Sequence, residues 1–214
     1  ESGCGKTTLG RTVLRLTEPT SGEIIFNGEN ILDYKKDKMK HLRRKMQLIF
    51  QDPYASLDPR LSVAEIIKEP MMVNKMYKSK KEADEKAKEL MDIVGLARRF
   101  VNAYPHELDG GRRQRIGIAR ALAMEPEILF VSEPTRGIDI GAKKIVLDTL
   151  MHMNKEKSTT LIVTSSELAE LRSMCDRIAI ITDGRVAGIL PPDAPDYQYG
   201  MLMSGMEAEE QEVG

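Results

Sequence analysis

The sequence predicts an α/β fold, with a mostly parallel sheet, an inserted helical subdomain and the remnant of a small antiparallel sheet. Three observations carry this. Short apolar runs, Ile128 to Val131, Thr160 to Val163 and Ile178 to Ile181, alternate with helix-length segments that start near Gly141 and Glu167, the texture of strands joined by crossover helices. Between Asp52 and Met124 the texture is helical instead, and Ala83, Ala87, Leu90, Met91 and Val94 share one face of a highly charged segment. The opening residues ESGCGKTT form the end of a glycine-rich loop that runs straight into a helix.

Taken in order, Thr7 to Leu16 carries Leu9, Val13, Leu14 and Leu16 at helical spacing, and Glu18-Pro19-Thr20-Ser21-Gly22 breaks it. Glu23 to Phe26 reads as a short strand closed by Asn27-Gly28, a pair that favours hairpins, and Met46 to Phe50 reads as another strand. The helical lobe follows, over about residues 52–124. The tail from Pro191 opens with two prolines and ends in Glu207, Glu209, Glu210 and Glu212, so it reads as a solvated, partly disordered terminus. The expected domain is residues 1–206, with 207–214 as its acidic tail.

A chain of 214 residues is long enough for one sizeable core with an inserted lobe. Its 32 Lys and Arg nearly cancel its 33 Asp and Glu, so the overall balance implies neither nucleic acid nor an anionic membrane surface as partner. Cys4 and Cys175 lie far apart and suit a reducing compartment rather than a disulfide framework. No apolar run approaches the roughly 20 residues that span a bilayer, so a transport role requires a membrane partner. The first residue is Glu1, and the loop lacks its usual first glycine and the strand that leads into it, which reads as a truncated start.

The glycine loop suggests the first chemistry. Glycines let backbone N–H groups curl around phosphates, a lysine neutralises them, and a hydroxyl can hold Mg²⁺; Gly3, Gly5, Lys6 and Thr7 fit those roles. Such a P-loop also fits kinases and GTPases, so the class depends on three downstream segments. MQLIFQDPYASLDP places Gln51 at a strand end, where its amide could reach Mg²⁺ or an attacking water. LDGGRRQR puts Gly110 and Gly111 at a helix N-terminus, a ready anion site. EILFVSEPT runs an apolar strand into Glu133, from which a carboxylate can orient or deprotonate a water attacking a terminal phosphate.

With its motifs in that order, the chain from Glu1 to about Gly205 resembles the ATP-binding subunits of ABC transporters. The resemblance implies a nucleotide-binding domain on a P-loop NTPase core, with ATP and Mg²⁺ as cofactors. It assigns Ser2, Gly3, Cys4, Gly5, Lys6, Thr7 and Thr8 to the P-loop, with Thr7 and Gln51 toward the metal. It assigns Asp109, Gly110 and Gly111 to the signature loop, Ser132 and Glu133 to the Walker B strand end, Asp139 to the D-loop and Ser166 to the switch position. Glu133 and Gln51 are then the catalytic candidates. The resemblance further implies head-to-tail pairing with a second ATPase subunit, identical or not. It also implies a transmembrane permease, no nucleic acid, and a peripheral place on the cytoplasmic face of the cell membrane.

Three positions depart from the family pattern. Asp109 stands where most members have a serine, and two like charges about 4 Å apart cost roughly 4 kcal/mol at an effective dielectric near 20, unless Arg112 or Arg113 offsets the repulsion. Ser132 replaces an aspartate and Ser166 a histidine, while His41, His106 and His152 lie elsewhere and read as ordinary surface or lobe residues. Up to about Arg120 the motifs resemble oligopeptide or dipeptide importers. From Glu127 they resemble the second cassette of a fused sugar or nucleoside importer, so the chain reads as a hybrid joined between Ala119 and Glu127. The expected function is ATP hydrolysis coupled to solute import, with peptides favoured. The alternatives are a catalytically degenerate ATP-binding subunit, motivated by Ser132 and Ser166, and, less favoured, a soluble ABC ATPase of DNA repair or translation.

Overall fold

The computed structural model describes residues 6–49, 52 and 56–205, the side chains of Lys6 and Thr7 excepted. The chain divides into two compact units, residues 20–163 and residues 1–19 with 164–214.

In the 20–163 unit, β1 (Ile25–Phe26) and β2 (Glu29–Asn30) form a hairpin with Ile25 opposite Asn30. Asn27 (φ 50°) and Gly28 (φ 80°) both take positive φ, which is what a two-residue turn matching the strand twist demands. The antiparallel remnant is thus two residues per strand, shorter than the Glu23 to Phe26 run suggested. A 3₁₀ turn, Ile31–Asp33, leads to α2 (Lys36–Lys45), which buries Met39 and Leu42 and hands the chain to β3 (Met46–Ile49).

β3 pairs in parallel with β4 (Ile128–Ser132), from Met46 opposite Ile128 to Ile49 opposite Val131, and β5 (Thr160–Thr164) lies on the other side of β4. Two backbone bonds extend the ladder, Glu127 N–H to the Lys45 carbonyl and Thr160 N–H to the Glu127 carbonyl, both 2.8 Å. Leu129 to Ser132 are all buried, as expected of a central strand covered on both faces. After β4, α6 (Ile140–Lys157) buries Val146 and Leu150 and stops at Ser158, whose φ of 54° closes the helix in the left-handed region.

Between β3 and β4 sits the helical lobe: α3 (Val63–Val73), α4 (Lys80–Ile93) and α5 (Gly110–Leu122). Ser62 and Glu65 form a reciprocal capping box that starts α3, and Ser79 caps α4 through the Glu82 N–H. The face predicted for α4 is the buried one: Ala83, Ala87, Leu90, Met91 and Val94 all lie in the core. Three arginines of α5, Arg113 and Arg115 buried and Arg120 half-buried, donate to carbonyls. Arg113 Nε donates to Pro105 O (2.6 Å), Arg115 Nη1 to Gly95 O (2.6 Å) and Arg120 Nη1 to Ser56 O (2.7 Å). Burial pushes the Arg115 and Arg120 guanidinium pKa values down, and the carbonyls replace part of the lost hydration.

The other unit holds α1 (Lys6–Val13), α7 (Leu168–Met174), the antiparallel pair β6 (Ile178–Thr182) and β7 (Arg185–Leu190), and α8 (Asp196–Met203). Here the reading of the tail is corrected. Residues 191–205 are not a solvated terminus: Tyr199 (1% exposed) and Leu202 pack on Ile178 and Ile180, and the Tyr199 hydroxyl donates to Pro191 O at 2.7 Å. The two prolines end β7 and set up that packing, so their composition signalled a turn rather than disorder. The acidic residues from Glu207 onward lie outside the described residues. Among the described residues no helix is long and apolar enough to cross a membrane.

Candidate functional site

Of the loop–helix junction expected at the start of the chain, the described residues hold the helix, α1. Lys6, Thr7 and Thr8 are the first described residues of that helix. Thr8 is exposed. Ser2, Gly3, Cys4 and Gly5 lie outside the described residues, and so does Gln51.

Ser166 belongs to the turn after β5, and its neighbours hold that turn. The Ser165 hydroxyl, buried, donates to the Glu170 carboxylate and accepts from the Glu167 N–H at 3.0 Å. Glu170 is 4% exposed, so the turn is fastened from beneath while Ser166 itself stays exposed. Sequence reasoning missed Glu170, because nothing in a lone glutamate one turn into a helix distinguishes a buried acceptor from a solvated one.

At the end of β4 the backbone changes character. Ser132 is buried and Glu133 half-buried, and Glu133 has a φ of 49°, in the left-handed region that side chains avoid. It also precedes Pro134, a position that restricts its conformations further. The Arg136 N–H closes the turn on the Glu133 carbonyl at 3.2 Å. A non-glycine residue in such a conformation costs of order 1–2 kcal/mol, so the side chain at 133 is kept against a backbone preference for glycine.

The paired glycines and Asp139, the residue expected in the D-loop, meet in the same unit. Asp109 is the N-cap of α5: its Oδ1 accepts from the Arg112 N–H at 2.8 Å, and its other oxygen pairs with the Arg112 guanidinium. That guanidinium also lies over the Phe100 ring, 5.0 Å from its centroid. Arg112 therefore supplies the offset considered for Asp109, while Arg113 is committed to Pro105. A Cβ on Gly111 would stand 2.8 Å from the Ala142 Cβ, and one on Gly110 would stand 3.7 Å from the Gly137 carbonyl. Asp139 caps α6 through the Ala142 N–H at 2.9 Å. So Asp109, Gly110, Gly111 and Asp139 are brought together by one close helix–helix contact that only glycine permits. His41, His106 and His152 are exposed, and His106 stacks on Tyr104.

Comparison with known proteins decides the family. The family model described as ABC transporter matches residues 1–136. The chain belongs to the ABC transporter family. Among curated relatives of this ABC chain, the oligopeptide transport ATP-binding protein OppF of Bacillus subtilis is 45% identical over 194 residues, covering 90% of the chain and 64% of the relative. AppF of the same organism is 42% identical over 187 residues, covering 87% of the chain and 56% of the relative. The OppF alignment runs through the window from Ala119 to Glu127, so likeness to a peptide-transport relative is not confined to the first part of the chain. The chain spans only about 56–64% of the length of these relatives.

Solved ABC structures carry the same fold. The ATP-binding cassette MJ0796, in a dimeric post-hydrolysis state bound to ADP and Pi, matches with a TM-score of 0.81 at 30% identity, over 91% of this chain and 84% of that one. The cbiO1 protein of Clostridium perfringens, part of the transporter complex cbiONQ, matches with a TM-score of 0.79 at 26% identity, over 95% and 78%. This fold is the α/β P-loop NTPase fold that the sequence predicts.

A nucleotide fits the residues present in one respect that the structure describes: the lysine and threonines of GKTT lie in a helix, as they do after a phosphate-binding loop. For Mg²⁺ the described residues offer less. They contain no group of three or more His, Cys, Asp or Glu that could hold a metal ion, and Ser132 brings a hydroxyl without charge. The two ligands expected from sequence, the Thr7 hydroxyl and Gln51, fall outside the described side chains.

Proposed function

We propose that this chain binds MgATP and hydrolyses it to drive solute import through a transmembrane permease, with peptides as the favoured solute. The observation that carries the reading is that Lys6, Thr7 and Thr8 of the GKTT run lie in α1 (Lys6–Val13), as residues that follow a phosphate-cradling loop would. The names of the relatives, oligopeptide transport ATP-binding proteins, support the choice of solute. In this reading Lys6 neutralises the phosphates, Thr7 and Gln51 serve Mg²⁺, and Glu133 orients and deprotonates the attacking water. Asp109, Gly110 and Gly111 face the nucleotide of a second cassette paired head to tail, on the cytoplasmic face of the membrane. The dimeric state of MJ0796 supports that pairing. When bound, Mg²⁺ would neutralise charge on the transferring phosphoryl group.

The test is a calorimetric titration of the chain with MgATP beside a Lys6→Ala variant. Saturable binding that the variant abolishes is the expected result; a folded chain with no binding would sink the reading for this polypeptide.

A second reading rests on Ser132 and Ser166: ATP promotes pairing, but turnover occurs at a partner subunit's site. The buried hydroxyl of Ser132 supplies no charge, and the exposed Ser166 hydroxyl cannot take up a proton as an imidazole would. The double substitution Ser132→Asp, Ser166→His is expected to raise phosphate release at least about tenfold if the chain is degenerate at these positions. Unchanged release would remove this second reading.

A further inference from the structure

The near-zero total charge of the chain hides a local segregation. Residues 35–45, KKDKMKHLRRK, hold seven Lys and Arg against one carboxylate, in a chain whose net charge is −1. In the structure this segment is α2 and its N-cap, with Met39 and Leu42 turned into the core and Lys35, Lys36, Lys38, Lys40, His41 and Arg43 exposed.

The cations sort into two sets. Lys38 pairs with Glu29 and covers the Tyr34 ring, and Lys45 pairs with Glu127 at 2.8 Å. These fasten the helix to its own unit. Lys36, Lys40, Arg43 and Arg44 fall instead within about 100° of the helix circumference. Among the described residues Lys36, Lys40 and Arg44 have no carboxylate partner. The only carboxylate of the helix, Asp37, sits at the edge of that arc.

Helix stability explains only part of this stripe. Arg43, Arg44 and Lys45 in the last turn suit the negative end of the helix dipole. Lys35 and Lys36 do the opposite: they stand at the N-cap and first position, where cations oppose the dipole, and Lys35 makes no side-chain cap bond. Local choices that run against the fold mark a surface kept for something else.

We infer that the exposed stripe of α2 is an interaction surface for anionic lipid headgroups. A ten-residue helix with its cations along one side can present them to a plane, and clusters of four to eight Lys or Arg on amphipathic helices bind anionic leaflets. A base-binding surface would interleave exposed aromatic rings, and here Tyr34, the neighbouring ring, is covered by Lys38. The inference rests on the proposed transporter role only in placing a membrane nearby; the headgroup binding itself needs no nucleotide.

The experiment is flotation of the whole chain, without nucleotide, on phosphatidylcholine vesicles with and without phosphatidylglycerol. The Lys36→Ala, Lys40→Ala, Arg44→Ala variant runs beside a control of equal charge change on α4, Lys81→Ala, Lys86→Ala, Lys88→Ala. Binding is expected only with phosphatidylglycerol, weakened about a hundredfold in the α2 variant, hardly changed in the control, and lost with rising salt. Unchanged thermal melting of the variant would show that folding is not the cause. Equal binding to both vesicles, an α2 variant that binds as well as the parent, or tighter binding to single-stranded RNA than to the anionic vesicles would overturn the inference. MgATP titration of the same sample separates the two claims. A chain that floats but does not bind nucleotide keeps the stripe and loses the ATPase reading, and the reverse outcome does the opposite.

Discussion

At Asp109 a single carboxylate has two duties. It caps α5 and holds the Arg112 guanidinium, and the pair leaves the loop close to neutral where a bare aspartate would repel a phosphate. Arg112→Ala removes the counter-charge but keeps the cap. MgATP-dependent pairing of cassettes, read by sedimentation, should weaken about tenfold, and adding Asp109→Ser, which keeps a capping oxygen without charge, should restore it. If the single and double variants pair alike, Asp109 does not face the nucleotide. The need for an offset was legible in the sequence, because the charge of Asp109 and the nearby arginines can be read from the letters. Which arginine supplies it was not. Arg113 is diverted to Pro105 O, and the helix that starts at Gly110 turns Arg112 back over Asp109, a matter of helical phase and packing rather than composition.

Among the elements, β3 to β6 were legible from their short apolar runs and the buried face of α4 from the period of its apolar residues, whereas β7 was not read from the sequence. Element ends were less so, and α8 was missed because its burying residues, Tyr199 and Leu202, are too few to show a period. The exposed seams of the lobe are polar. Arg60 holds Asp58 down to about 2, and the Ser62 backbone N–H lowers Glu65; Lys68 and Arg98 do the same for Asp84 and Asp92. Depressed carboxyl pKa values contribute stability above their ordinary values, 3.8 for Asp58 and 4.5 for Glu65, and lose it as pH falls toward the folded values. The urea midpoint should therefore hold level from about pH 7 to 5 and drop below about pH 4. Glu65 and Asp92 are exposed and Asp58 and Asp84 half-buried, so the drop should shrink in high salt. A midpoint that rises on acidification would show that other groups dominate.

Over the whole molecule, the family was legible because its motifs are local and ordered, whereas the segregation of charge onto α2 is invisible to a net-charge count. The left-handed backbone at Glu133 ties the conformation of one residue to the fitness of the protein. Glu133→Gly should relieve about 1 kcal/mol of conformational cost and raise the melting temperature by a few degrees, while lowering phosphate release at least about a hundredfold. A variant that melts lower would show that contacts of the glutamate outweigh its backbone. A mutant library screened for solubility alone would then drift toward glycine at this position, and one screened for growth on the transported solute would hold the glutamate. On the proposed role of Glu133, position 133 is where selection for abundance and selection for work pull in opposite directions.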